Sequence, residues 1–350
     1  TTLPQLAADT PELYTGSQLM ALGIAGDYPI NVMQPDYLQQ LLRVFDQTTV
    51  ADWRKYLSAR VVLHYAELLS DDFTAVTSAY DIQRGLYDVR PPQWQLAIAY
   101  LNDYVGMLLG QLYVEAFFED RIKTDVTAMV DAIKEEYRLA ILESDRLGPA
   151  TRRSAMLKLD KMAFHIGYPD QWQDYSSLHI DGRDLVGNHR RIAEYEHRRN
   201  IAKLGQAVDR KEWAVPPQEV NAFYNPGTNT FVLLAGILTE PFYSADADLA
   251  ANYGGIGLVI GHEIGHGFDD QGSRFDADGN LANWWSEDDA RRFRAIRQQL
   301  IEQANGYEIL PGHRINGELA IGEIIGDLSG TEIALRAFTK QLNQQGTANR

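Results

Sequence analysis

Val259-Ile260-Gly261-His262-Glu263-Ile264-Gly265-His266-Gly267-Phe268-Asp269-Asp270 is the stretch on which the reading of this chain turns. On a helix, residues four apart share a face, so the imidazoles of His262 and His266 can reach one metal ion. Glu263 sits about a quarter-turn round, where it can take a proton from a metal-bound water without being a ligand. Zinc needs such a pair, a third protein ligand and an open position. It lowers the pKa of bound water from about 15.7 to about 7. With 8 histidines in 350 residues, the pattern arises by accident in roughly one such chain per hundred. Gly254, Gly255, Gly257, Gly261, Gly265 and Gly267 crowd the same segment. Each glycine inside a helix costs about 1 kcal/mol relative to alanine. Such a helix must be held by burial, and buried histidines and a glutamate need partners that a metal supplies.

Working outward, the third ligand decides the class. Position 272 is glycine, which removes the zinc-peptidase class with a third histidine there. Glu287 stands near a thermolysin-like spacing and is a weak candidate. Glu323, in Gly322-Glu323-Ile324-Ile325-Gly326-Asp327, is a better one. Glu323 and Asp327 share a helical face, and as a bare surface pair they repel by a few tenths of a kcal/mol. Facing a dication, Glu323 can bind the metal while Asp327 accepts the far N–H of a ligand histidine. The residues alone leave both readings open, ligand pair or solvated acidic face. Gly322, Gly326 and Gly330 form a smooth stripe that would let a neighbouring helix approach closely. Asp276, Asp278, Asn280 and Glu287 imitate a calcium loop, but Leu281 stands where its glycine is required, so Asp278-Gly279 reads as a surface turn.

Further out, Val220 to Tyr224 and Thr230 to Leu234 read as strands joined by the turn Asn225-Pro226-Gly227. Leu178-His179-Ile180 reads as a short strand, and Asp184 to about Leu204 as a charged helix. Residues 1 to about 30 look loop-like, with Pro4, Pro11 and Pro29. From Pro35 to about Phe164 the pattern is helical, until Gly167-Tyr168-Pro169-Asp170 stops it. The expected fold is mainly α with a small β-hairpin or sheet. A helical lobe would occupy residues 1–180 and a catalytic lobe residues 181–350.

Composition narrows the function. The chain is 45% hydrophobic and 23% charged, with a net charge of -16. So acidic a surface repels nucleic acid and anionic membrane. No run of 18 apolar residues is present to span a bilayer. There is no cysteine, so a transition-metal site must use histidine and carboxylate.

Beyond these readings, the chain resembles the neprilysin family of zinc metalloendopeptidases. The likeness runs from Asn31-Val32 and Pro35-Asp36-Tyr37-Leu38 through Ile166-Gly167-Tyr168-Pro169-Asp170 and Asn221-Ala222-Phe223-Tyr224. It continues through Asn252-Tyr253-Gly254-Gly255-Ile256-Gly257, the stretch quoted above, Trp284-Trp285 and Asn316-Gly317-Glu318 to Asp327. The resemblance implies a zincin-like catalytic lobe with one zinc ion held by His262, His266 and Glu323. Glu263 would be the general base, Asp327 would orient His262, and Asp269 would support His266. Asn221 and Ala222 would hold the backbone of a peptide substrate, a role an exposed strand edge also suits. Ile237, Phe242, Leu258 and Val259 would line the pocket for the residue after the scissile bond.

The expected activity is hydrolysis of short peptides before bulky hydrophobic residues. The alternative is a catalytically impaired zinc-binding fragment or non-catalytic module. Leu233-Leu234, Ala320-Ile321, Ile324 and Gly326 depart from the family pattern. The family's site is completed by a histidine and an arginine beyond the third-ligand helix, and no histidine follows Glu323. The expectation is a core shortened at both ends that binds zinc but works at least about a hundredfold more slowly than a complete homologue. Absence of cysteine fits the bacterial branch, and the resemblance suggests the cell envelope or extracellular space.

Overall fold

The computed structural model describes residues 1–10, 15–24, 28–344 and 346. The chain forms two compact units, each assembled from two stretches: 1–105 with 174–207, and 106–173 with 208–350. This division differs from the single cut expected near residue 180. The reason is β-pairing: a strand at 163–167 is bonded to one at 230–234, which ties residues 106–173 to the metal-bearing stretch.

The first unit is helical. It holds α1 (Leu3–Asp9), α2 (Thr15–Ala21), α3 (Pro35–Gln47), α4 (Val50–Tyr65), α5 (Asp71–Gln83), the start of α6 (Gln93–Phe117) and α9 (Leu185–Ile201). α1 and α2 correct the loop-like reading of the first thirty residues. Pro4 lies in the first turn of α1, where a missing N–H costs nothing, and the Thr2 side chain caps that turn by accepting from the Gln5 N–H. α6 leaves helical angles at Val105 (φ -138, ψ 34), where the first stretch of this unit ends. The strand expected at 178–180 is not there; the segment is irregular.

The second unit holds α7 (Asp120–Glu143), α8 (Pro149–Lys161), β1 (Ala163–Gly167), β2 (Ala222–Asn225), β3 (Thr230–Leu234), α10 (Leu249–Asn252), α11 (Leu258–Gly265), α12 (Glu287–Asn305), β4 (Glu308–Leu310), β5 (His313–Arg314) and α13 (Gly317–Gln344). β1 was read as the end of a helix. Its register, Phe164 against Phe231 and Ile166 against Leu233, shows instead a parallel partner for β3. β2 pairs antiparallel on the other side, so the sheet order is β1-β3-β2 and β2 is an edge. The core gathers Val126, Val130 and Ile133 of α7, Leu159 of α8, Phe231 and Leu233 of β3, and Ile260 and Ile264 of α11. Among the described residues no helix is long and apolar enough to cross a membrane.

One joint positions the site. α11 lies directly on α13: a Cβ added at Gly261 would stand 2.8 Å from the Gly330 Cα. The glycine stripe of α13 thus has the neighbour its spacing predicts. A π-helical turn, Tyr253–Gly257, leads into α11.

Candidate metal centre

α11 delivers His262 and Glu263, and His266 follows as its C-cap. The two imidazole rings stand 4.5 Å apart and nearly perpendicular. The Nδ1 of His262 lies 2.9 Å from Asp327 Oδ1, and the Nδ1 of His266 lies 2.7 Å from Asp269 Oδ2. Each carboxylate accepts a hydrogen bond from a ring nitrogen, which fixes the tautomer and leaves Nε2 with a free lone pair. Both Nε2 atoms face Glu323, whose Oε2 is 3.3 Å from His262 Nε2 and 3.8 Å from His266 Nε2.

Those distances test whether a metal fits. Two ligands on arms of about 2.1 Å at a tetrahedral angle lie about 3.4 Å apart. The observed separations bracket that value, and two neutral imidazoles with one carboxylate are a zinc donor set. Glu263 competes for the third place on distance alone, since its carboxylate and the two imidazoles come within 4.8 Å of one another. Its surroundings argue otherwise. Glu263 is 7% exposed and faces the backbone N–H of Tyr224, whereas the Glu323 side chain is 71% exposed and reaches both Nε2 atoms. Glu287 lies exposed in the first turn of α12, and the ion pairs of both imidazoles go elsewhere.

The electrostatics follow from burial. Desolvation pushes the Glu263 carboxyl up, against the partial pull of His266 and His262. Burial pulls His266 down, but Asp269, Glu263 and Glu323 outweigh it and leave the ring above its ordinary value. Asp269, only 4% exposed, is itself fixed: its Oδ1 accepts from the N–H groups of Gln271 (2.8 Å) and Gly272 (2.6 Å). Gly326 explains itself by contact, since a Cβ there would stand 2.8 Å from the His262 ring. Glycine at this position, one of the departures from the family pattern, leaves the room that the imidazole occupies beside α13.

β2 runs past Glu263. The Leu234 N–H donates to the Asn221 carbonyl, so in this antiparallel ladder Ala222 and Tyr224 point their backbone groups to the open edge. The Asn221 side chain accepts from the Ala222 N–H at 2.9 Å. Ile237 is buried within the core, while Phe242, Leu258 and Val259 are half-buried. Asp276 accepts from the backbone N–H groups of Asp278 and Asn280, and Asp278 pairs with Lys161, as in a surface turn. His313 lies exposed in the β4-β5 hairpin.

Sequence reasoning missed three residues around the centre. Asn229, fully buried at φ 49, donates its amide to the Lys158 and Ala277 carbonyls and accepts from the Tyr224 hydroxyl. The Tyr137 hydroxyl, in α7, donates to the Gly261 carbonyl at 2.6 Å. Lys158, 1% exposed, sits on the face of α8 that also carries Thr151, Ala155 and Leu159. A lysine inside an apolar stripe was the available signal.

Comparison with known proteins places the chain in a family. Two sequence patterns, both described as peptidase family M13, match residues 1–169 and 221–349. Neprilysin-11 of Caenorhabditis elegans is 32% identical over 91% of this chain and 38% of its own length. The neutral endopeptidase of Lactobacillus helveticus is 32% identical over 87% of this chain and 47% of its own. Among solved structures, the Mycobacterium tuberculosis zinc metalloprotease Zmp1 in complex with inhibitor superposes with a TM-score of 0.81 at 42% identity, covering 90% of this chain and 48% of that one. PepO from Lactobacillus rhamnosis gives 0.87 at 32%, covering 96% and 53%. The chain spans about half the length of the curated relatives it matches. With the two patterns together covering most of its residues, the chain belongs to peptidase family M13.

Proposed function

We propose that this chain carries the metal-holding core of a zinc-dependent endopeptidase acting on short peptides. The observation that carries the proposal is the pair of Nδ1–carboxylate bonds that turns both Nε2 atoms toward Glu323. His262, His266 and Glu323 would hold one zinc ion. When bound, zinc supplies a Lewis acid that polarises the scissile carbonyl and acidifies water.

The chain's own residues do the rest. Glu263, with its carboxyl raised by burial, takes the proton of the attacking water and hands it to the leaving amine. The open edge of β2 aligns an extended peptide through the backbone groups of Ala222, and Asn221 stands beside them to hold that backbone. Phe242, Leu258 and Val259, with Ile237 behind them, favour a bulky hydrophobic residue after the scissile bond.

The test is metal analysis together with turnover of a quenched peptide. Glu263→Gln should keep zinc and lose about 10²–10⁴-fold in turnover. His262→Ala should lose the metal. Equal activity of the Gln variant at equal zinc content overturns the general-base role. Zinc bound by the wild-type chain without any turnover would assign a non-catalytic zinc module instead. Cleavage before acidic residues would overturn the pocket assignment.

A further inference from the structure

Among the described residues, Lys158 is the largest side chain that is almost wholly buried. Placing an ammonium in the interior is costly unless its charge and its donors are met. Its Nζ donates to two backbone carbonyls, Gly272 at 2.6 Å and Phe275 at 2.7 Å. The rings of Tyr224, Trp284 and Phe268 surround it, with centroids 5.8, 5.9 and 6.0 Å away. Burial pulls this lysine down to about 8, with Asp269 and Asp276 acting against that.

The carbonyls it holds belong to the loop that leaves the second histidine. Gly272, bonded to Lys158 through its oxygen, donates its N–H to Asp269 Oδ1 at 2.6 Å. The other oxygen of Asp269 holds His266 Nδ1. A line of hydrogen bonds therefore joins α8 to the second imidazole: Lys158, Gly272, Asp269, His266. The ammonium bonds both carbonyls from one atom, so it pins the two ends of the 272–275 segment together.

We infer that Lys158 is a positioning residue for the metal centre: its buried ammonium clamps the 272–275 loop, and through the Gly272 N–H that loop holds Asp269 aimed at His266. This rests on the zinc reading given above. It assigns to a residue on α8 an effect on metal affinity and ligand geometry that it exerts without touching the ion.

The test uses the full 350-residue chain, with zinc affinity measured by chelator competition and ligand geometry read from the visible bands of the cobalt(II)-substituted protein. Lys158→Met should bind zinc about tenfold more weakly, the lower end of what outer-layer substitutions do, and should shift the cobalt bands. Leu159→Ala, beside it in the same helix and fully buried, is the structural control. It should lower the melting temperature and leave affinity and bands unchanged. A folded Lys158→Met chain with wild-type affinity and bands overturns the inference, as does Leu159→Ala moving both equally. Should Lys158→Met fail to fold, Lys158→Gln is read by the same two measurements. On the unmodified chain, zinc should slow amide exchange across residues 269–275, and unchanged exchange there overturns the clamp. A wild-type chain that binds no zinc overturns the zinc reading itself, and this inference with it.

Discussion

Asp269 and Asp327 do the same task with unequal support. Asp269 is 4% exposed and has one oxygen fixed by two backbone N–H groups. The Asp327 side chain is 70% exposed. Water can replace part of what Asp327 gives His262, but not what Asp269 gives His266. Asp269→Asn should therefore weaken zinc binding by about 10–100-fold, and Asp327→Asn by about tenfold or less. Chelator competition on both variants checks the ranking; a larger loss at Asp327 would reverse the assignment. The closeness of His262, His266 and Glu263 was legible from spacing alone, because a helix fixes which side chains share a face. The choice of Glu323 was not, because no local rule distinguishes a ligand carboxylate from a solvated one.

At the scale of elements, two joints hold the centre. The first is the contact of α11 with α13. Gly261→Ala would push a methyl to 2.8 Å from the Gly330 Cα, and the backbone must move. The expected cost is about 1–3 kcal/mol, together with weaker zinc binding, because the same movement separates His262 from Glu323. Gly254→Ala places its methyl where no atom lies within 4 Å, and should be neutral or stabilising by up to about 1 kcal/mol. Denaturant unfolding of the two variants separates these outcomes. The second joint is Asp289, at the start of α12 and 1% exposed. It takes the Gly148 N–H and the Ser286 hydroxyl, and pairs with Arg292. The hydroxyls of Ser286 and Thr151, then the Gly148 N–H and Arg292, hold its carboxyl well below the usual range. A depressed carboxyl contributes stability that is full above the unfolded pKa of about 3.9 and lost as pH falls below it. Asp289→Ala should cost about 1–3 kcal/mol at pH 7 by stranding the Gly148 N–H. It should also flatten the fall in stability between about pH 4 and pH 2. Urea midpoints at the two ends of that range are the measurement.

For the whole molecule, the proposed ligands fall in one unit. His262, His266 and Glu323, with Asp269 and Asp327, all belong to the unit made of residues 106–173 and 208–350. Ligand that binds only the folded form stabilises it by about 2.7 kcal/mol at a hundred times its dissociation constant. Chelation should accordingly lower the unfolding temperature of that unit and leave the unit of residues 1–105 and 174–207 unchanged. Calorimetry with and without chelator checks this. Two transitions shifting together would show that the units unfold as one.

The sequence by itself determined what is local and periodic: the α11 face with its two imidazoles, the β2-β3 hairpin around Asn225-Pro226-Gly227, the helix over 185–201, and the glycine stripe of α13. Each follows from residues within a few turns of one another, where backbone geometry alone sets the neighbours. Tertiary structure decided what depends on distant segments. Ala163–Gly167 follows directly on a helix and became a strand because β3 offered it a parallel edge, a partner more than sixty positions away. The stretches of the two units alternate along the sequence, instead of dividing once near residue 180, for the same reason. Oε2 of Glu323 came to face both Nε2 atoms only through the glycine contact of α11 with α13. Lys158, an unremarked lysine in an apolar stripe, met its two carbonyls only when the 272–275 loop folded over α8. Long-range pairing of this kind is chosen by whichever partner satisfies the buried polar groups, and that partner is not encoded in the spacing of neighbours.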